Sequence, residues 1–380
     1  MTIGFNGLTL SGQRSGVGFY TANLLQALWS IDTVNTYVGW VSSDMADESL
    51  LKRPNVRVFR TSASIHQPVR QLLWEHIALP YDLRRNRVDV FFSPAQTMPL
   101  LPFSRTAMVV TVHDLAFLHY PGTKSRQFRT YMNWMLRHTT RSASLIIADS
   151  EHTRRDVKTT YHVPEERLTT VMLAASNRFS HPVDPVTLQR VKKRYGLEES
   201  VVLAVGDIEP RKNIARLIEA VSQIKQKGCP AVQLVLVGKA RRGMEVLQQA
   251  IHRHGLSDAV VLTGYVCDEE LAALYRLARV FVYPSLYEGF GIPPLEAMMS
   301  GTPVVASNAS SIPEVVGDAG ILVDPYHVES IVDGINRVLS DPGLAQNLVV
   351  RGYRQAQRFS WETTARQTLK AFESCNQTGK

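Results

Sequence analysis

The strongest constraint on the fold is an alternation. Short, mostly apolar runs are separated by segments whose apolar residues recur about every 3.6 positions. Runs suited to strands fall at 2–6, 35–42, 55–60, 88–92, 107–112 and 144–149. A second set follows at 201–206, 232–237, 260–263, 279–284, 303–306 and 321–323. Most are rich in Val and Ile and apolar on both faces, as strands covered on two sides must be. Between the first two runs, Tyr20, Leu24, Ala27 and Leu28 share one helical stripe. Strand and helix in alternation predict an α/β protein with parallel sheets. There are too many strands for one open sheet. The pattern breaks near 178–195, where His181, Pro182, Asp184 and Pro185 precede a charged helix with Lys192, Lys193 and Arg194. The expectation is two doubly wound, Rossmann-like domains in tandem, residues 1–180 and 181–358. They would face a central cleft, with ligands at the carboxyl ends of the strands.

Composition supports a globular chain: 380 residues, 44% apolar and 20% charged. No run approaches the ~18 consecutive apolar residues of a membrane-spanning helix. Met1 leads almost at once into strand-like Thr2-Ile3-Gly4-Phe5, so no signal peptide is expected. Cys229, Cys267 and Cys375 lie far apart and form no C-x-x-C pair, which argues against a zinc site or a disulfide framework. Reduced thiols and a cytoplasmic location fit best.

Five segments carry chemistry. Gly7-Leu-Thr-Leu-Ser-Gly12-Gln-Arg14-Ser-Gly16-Val-Gly18 is a glycine-rich strand–helix junction. It fits a phosphate loop and a ligand-free flexible turn equally well, and it is not the G-x-G-x-x-G of dinucleotide folds. Val112-His113-Asp114 sets a polar pair at the end of a buried strand. His113 could bind a substrate hydroxyl with Asp114 fixing its orientation, or the pair could be a satisfied cap. In Ala148-Asp149-Ser150, Ser150 is placed to cap the following helix, which would open toward the same cleft. In Gly206-Asp207-Ile208-Glu209-Pro210-Arg211-Lys212-Asn213, two adjacent cations stand at a strand–helix junction. Alone they repel; an anion would pair with both and with the helix N-terminus. The fifth segment runs from Tyr283 to Ala297. Glu288 and Glu296 frame a loop in which Gly289 and Gly291 leave backbone N–H groups open. Carboxylates accept from sugar or ribose hydroxyls, and free N–H groups bind sugar oxygens or phosphate. A nucleotide sugar offers both. Ser307, Ser310, Ser311 and Glu314 precede a short helix and fit either contact with the same cleft or a polar loop that needs no ligand.

Taken in order, Gly16-Val-Gly18, Val112-His113-Asp114, Ala148-Asp149-Ser150, Gly206 with Pro210-Arg211-Lys212-Asn213, and Glu288-Gly-Phe-Gly with Glu296 resemble family 4 of the retaining glycosyltransferases. The resemblance spans almost the whole chain, includes bacterial mannosyltransferases, and implies the GT-B fold. By this resemblance Arg211 and Lys212 clamp the donor diphosphate, with Gly206 beside them, and Gly16 approaches it from the other domain. Glu288 holds donor-sugar hydroxyls, helped by the backbone of Gly289, Phe290 and Gly291. The backbone of Ile292 touches phosphate and Glu296 binds ribose. Gly264, Tyr265 and Val266 lie near the base. His113 contacts the donor sugar, and Asp114 and Ser150 stand on the acceptor side. Residues 359–380 form a last helix crossing back to the first domain. GDP-mannose is the donor expected first, ahead of UDP- and dTDP-sugars. No D-x-D pair occurs, and two cations and a helix end can stabilise the departing diphosphate. Transfer without a metal or other cofactor is therefore expected. An epimerase or hydrolase of nucleotide sugars on the same scaffold is the alternative. A non-catalytic relative would be expected to have lost Glu288 or Lys212.

Charge is uneven. Residues 1–180 hold 20 Lys and Arg against 13 Asp and Glu; residues 181–380 hold 22 against 21. Segment 67–86 carries Leu72, Leu73, Trp74, Ile77 and Leu79, then Arg84 and Arg85 with Arg87 just beyond, and segment 125–142 interleaves aromatic residues with arginines. Each fits either a core face with a solvated back or an anionic membrane surface presenting a lipid-diphosphate saccharide. Nucleic acid is not expected, because no binding motif accompanies the charge.

Overall fold

A computed structural model describes residues 1–11, 16–43, 45, 49–64, 67–100, 106–227, 231–239 and 244–378. Gly12 and Arg14 of the first glycine loop, and Cys229, lie outside the described residues. The chain divides into two compact units.

The first unit comprises Met1–Leu118, Arg126–Leu173 and the chain from Ser360. Its strands are β1 (Thr2–Asn6), β2 (Thr36–Ser42), β3 (Val56–Thr61), β4 (Val90–Ser93), β5 (Ala107–Val112), β6 (Leu145–Ala148) and β7 (Leu168–Thr170). They form one parallel sheet in the order β3-β2-β1-β4-β5-β6-β7. The central strands are buried along their length, as Val/Ile-rich runs covered on both faces should be. Strand β3 is half exposed because it lies at the edge. Strand β7 was not expected. Its three residues, Leu168-Thr-Thr, form the opposite edge and carry too little apolar pattern to read. The helix Trp361–Thr378 belongs to this unit. Phe372 packs on Phe92 with ring centroids 5.3 Å apart, and the Thr364 hydroxyl donates to the Met172 carbonyl at 2.8 Å.

The second unit comprises His119–Ser125 and Ala174–Phe359. The division thus falls at 173/174 rather than 180/181, and residues 119–125 cluster with the second unit. A short-range pattern cannot reveal that excursion, because long-range contacts define it. The strands are β8 (Ser200–Val205), β9 (Val232–Val237), β10 (Val260–Gly264), β11 (Val280–Tyr283), β12 (Val304–Ser307) and β13 (Gly320–Val323). Their parallel order is β10-β9-β8-β11-β12-β13. The order reverses between β8 and β11, the kind of switch point where open α/β sheets bind ligands. One buried cluster includes Val202, Leu217, Ile218, Leu234, Val282, Ile331 and Ile335, joining the sheet to its covering helices.

Candidate active site

In the second unit, β8 ends at Gly206, whose φ of +142° is a glycine conformation. A Cβ there would stand 3.2 Å from Lys212 Cε, so the missing side chain leaves room for the lysine. The chain then makes one tight turn, Pro210–Lys212, closed by Asn213 at φ +60°. Asn213 pins this turn: its Nδ2 donates to the Pro284 carbonyl at 3.1 Å and to the Pro325 carbonyl at 2.6 Å. The helix Ile214–Lys227 follows.

This turn aims both cations at Glu288. Lys212 Nζ lies 2.6 Å from Glu288 Oε1 and donates to the Tyr283 hydroxyl at 2.8 Å. Arg211 lies 2.7 Å from Glu288 Oε2, and its Nε lies 3.1 Å from Glu209 Oε2. Lys212 and Glu288 are each only 8% exposed. Burial opposes ionisation of Glu288, but the adjacent Lys212 and Arg211 charges prevail and hold its carboxyl near a pKa of about 2. The anion that pairs with both cations is Glu288 itself.

The glutamate loop is held by serines. Glu288 N–H donates to Ser310 Oγ at 2.9 Å; Ser311 Oγ donates to the carbonyls of Glu288 and Phe290 at 2.9 and 2.7 Å. Gly289 and Gly291 are buried rather than open. Gly291 has φ +117°, and a Cβ there would meet Ile312 Cδ1 at 3.1 Å. It precedes the helix Ile292–Met299, whose first turn carries Pro293 and Pro294. On that helix Glu296 Oε2 accepts from the buried Tyr275 hydroxyl at 2.9 Å. Burial pushes the Glu296 carboxyl up to about 7, against the lowering effect of that bond.

Three adjacent strand ends meet beside this cluster. Gly206 N–H donates to the Val237 carbonyl at 2.8 Å and Gly238 N–H to the Gly264 carbonyl at 3.0 Å. All three glycines have positive φ. Tyr265 is 57% exposed with Lys239 Nζ 5.3 Å above its ring, and Val266 is buried.

In the first unit, the register pairs Val112 with Ala148, so His113 and Asp149 emerge side by side. His113 Nδ1 lies 2.7 Å from Asp149 Oδ2, and Nε2 lies 2.8 Å from the Pro94 carbonyl. Both partners are acceptors, so the ring satisfies both only as imidazolium. Burial works against that charge, but Asp149 prevails and raises the His113 pKa. Asp149, not Asp114, is therefore the orienting carboxylate. Asp114 Oδ1 instead accepts from Ala116 N–H at 2.9 Å. Ser150 caps its helix, accepting from Thr153 N–H at 3.1 Å. Gly16 is exposed at the start of the helix Gly16–Ile31.

Residues 14–172 match the family model described as Glycosyltransferase Family 4, and residues 186–355 match Glycosyl transferases group 1. The chain is 37% identical over 274 residues to O-antigen chain mannosyltransferase B of Escherichia coli, covering 72% of each chain. The chain belongs to the family 4 glycosyltransferases. It is also 32% identical over 280 residues to the serotype-specific mannosyltransferase WbdA of Escherichia coli, spanning 72% of this chain and 34% of WbdA. Two solved structures share its fold over 98% of its length. Sucrose-phosphate synthase of Thermosynechococcus elongatus superposes with a TM-score of 0.77 at 22% identity, covering 98% of that chain. Anabaena HepE in complex with UDP-glucose gives 0.75 at 22%, covering all of that chain. The fold of this glycosyltransferase is thus GT-B.

Several residues that contact the candidate cluster carry no motif. Tyr283 was visible as the last residue before Pro284, but nothing local marks a tyrosine as a lysine's partner. Glu209 stands two residues before Arg211 and was legible as a local ion-pair partner. Gly238 and Tyr275 have no sequence signal, because their roles follow from strand and helix packing.

Proposed function

We propose that this glycosyltransferase moves mannose from GDP-mannose, with retention of anomeric configuration and without a metal ion. The acceptor is a saccharide or a lipid-diphosphate saccharide. The observation that carries the reading is the buried Arg211–Glu288–Lys212 cluster beside three glycine strand ends. Cleaving a glycosyl phosphate leaves a nucleoside diphosphate with added negative charge, and fixed cations in a buried site stabilise it strongly. An arriving diphosphate competes with Glu288 for Arg211 and Lys212. Once displaced, Glu288 turns its carboxylate to the donor-sugar hydroxyls. Glu296 accepts from ribose, and the Gly264–Val266 backbone meets the base. The mannosyltransferase names of the Escherichia coli relatives support the sugar, and HepE, solved with UDP-glucose, supports a nucleotide-sugar donor. Nothing in the site favours the epimerase or hydrolase alternative.

The test has two arms. Glu288→Ala and Lys212→Ala should each abolish mannosyl transfer, and Lys212→Ala should also weaken GDP binding; wild-type rates in both would overturn the reading. A thermal-shift series with GDP, UDP, dTDP and ADP identifies the base. A ligand at 100 times its Kd stabilises by about 2.7 kcal/mol, and a larger response to UDP than to GDP would change the donor. Proton NMR of the product reads anomeric configuration, and unchanged rates in EDTA support metal independence.

The enzyme would work at the inner face of the cell membrane. Among the described residues, no helix is long and apolar enough to cross a membrane. The basic first unit exposes Leu73, Ile77 and Tyr81 on one segment and Phe128 on another. Exposed apolar residues among arginines suit an anionic interface. Flotation with vesicles containing anionic lipid should recover the protein, and equal recovery with neutral vesicles would count against this location.

A further inference from the structure

The helical run from Pro68 to Arg85 contains a turn of π-helix, Trp74–Ala78. Its cause is legible: Pro80 has no N–H to give His76, and the ladder shifts so that Leu79 N–H reaches the Trp74 carbonyl. Such turns recur at functional sites. This one holds an unusual polar set. Glu75 is only 2% exposed, and its Oε1 has no hydrogen-bond partner; nor does the buried Nδ1 of His76. Buried polar atoms are nearly always paired, so orphans on successive residues call for an explanation. Tyr131 and His138, seven apart on the helix Arg126–Ser142, lie near this turn: Tyr131 feels the Glu75 charge, and His76 feels that of His138.

The turn also joins the carboxyl edge of the sheet. Thr97 stands close enough to Glu75 to lower the pKa of its carboxyl. Thr97 belongs to the loop after β4, tied down by Ser93 Oγ donating to the Thr97 carbonyl at 2.7 Å. The same loop supplies the Pro94 carbonyl to His113 and accepts from His138 Nε2 at the Pro99 carbonyl, 3.2 Å away. One loop therefore has His113 on one side and Glu75 on the other, at the edge where open α/β sheets bind ligands.

We propose that Glu75 and His76 form a saccharide-binding subsite for the acceptor, with Tyr131 and Trp134 as its apolar wall. A sugar hydroxyl both donates and accepts, which is what an orphaned carboxyl oxygen and an imidazole nitrogen lack. Burial pushes the Glu75 carboxyl up to about 7, with Thr97 opposing, so near neutrality it can give or take a proton in such a bond. Tyr131 and Trp134 are partly exposed on the neighbouring helix, and sugar rings stack on aromatic faces. His76 is partly exposed and is the member a ligand meets first.

The inference rests on the transferase reading, and its test separates the two. Saturation-transfer NMR with methyl α-D-mannopyranoside and mannobiose is recorded on wild type, Glu75→Gln, His76→Ala and Lys212→Ala, alongside GDP titrations. Wild type and Lys212→Ala should bind saccharide. Glu75→Gln should lose at least about tenfold in saccharide affinity with GDP Kd unchanged within twofold. His76→Ala should lose less, with the same split. Saccharide binding unchanged in both first-unit variants would mean the orphans hold only buried water, and would overturn the subsite. So would a wild type that binds neither sugar. Lys212→Ala retaining full transfer would instead sink the donor reading and leave this one standing.

Discussion

Lys212 is the residue on which the fold and the proposed chemistry both lean. Its ammonium is buried and answered by Glu288 and by the Tyr283 hydroxyl. A buried pair adds little net stability, but removing one partner leaves an uncompensated charge, at a cost of about 3–5 kcal/mol. Arg211 remains beside Glu288, so Lys212→Met should fall at the low end, about 3 kcal/mol in urea unfolding. Lys212→Met/Glu288→Leu should recover at least half of that loss while staying inactive. Strict additivity of the two single changes would contradict the coupling. His113 makes a related point about legibility. The motif placed it correctly at a strand end, but sequence adjacency suggested Asp114 as its partner. The true partner, Asp149, comes from the register of β5 against β6, which no single segment of sequence contains.

At the scale of elements, the ends of β8, β9 and β10 meet beside the Arg211–Glu288–Lys212 cluster. Gly206 and Gly264 stood in recognisable segments; Gly238 did not. Its need arises from where β9 stops against β8: a Cβ on Gly238 would lie 2.2 Å from the Gly206 carbonyl oxygen, with φ at +145°. Gly264 also has positive φ, +69°, but open space around the absent Cβ. Gly264→Ala should therefore cost only about 1–2 kcal/mol, the left-handed penalty of an L-residue. Gly238→Ala should displace the Gly206 backbone and lose GDP binding as well as several degrees of melting temperature. Thermal melts with and without GDP compare them, and equal behaviour of the two would refute the role of close approach. Most strands were legible because they are covered on both faces and so read as continuous apolar runs. Strand β7 was not, because its pairing to β6 rather than its own composition makes it a strand.

For the whole molecule, the buried ionisable groups set an unusual pH dependence. The Glu288 carboxyl, held near 2, contributes stability that is present above its unfolded value of about 4.5 and lost as pH falls toward 2. Glu75 and Glu296 act in the opposite sense. Raised to about 7, they keep a proton in the fold that the unfolded chain releases above about 4.5, so stability declines from there toward pH 7. Each such proton contributes a slope of up to about 1.4 kcal/mol per pH unit. His113, raised by Asp149, adds stability present below its unfolded value of about 6.5 and lost as pH rises through the higher folded value. The chain carries a formal charge of +8 at neutral pH, so still lower pH adds self-repulsion. Lys212, its pKa lowered by burial, works the other way, adding stability only as pH rises toward its unfolded value of about 10.5; the carboxylates and His113 place the maximum between about pH 4.5 and 6, well below the isoelectric point near 9.4. Urea midpoints measured from pH 4 to 9 should peak in that window. Glu75→Gln, which has no proton to release, should flatten the descent between pH 5 and 7. An undiminished descent in that variant would show that Glu75 does not carry its proton into the neutral range.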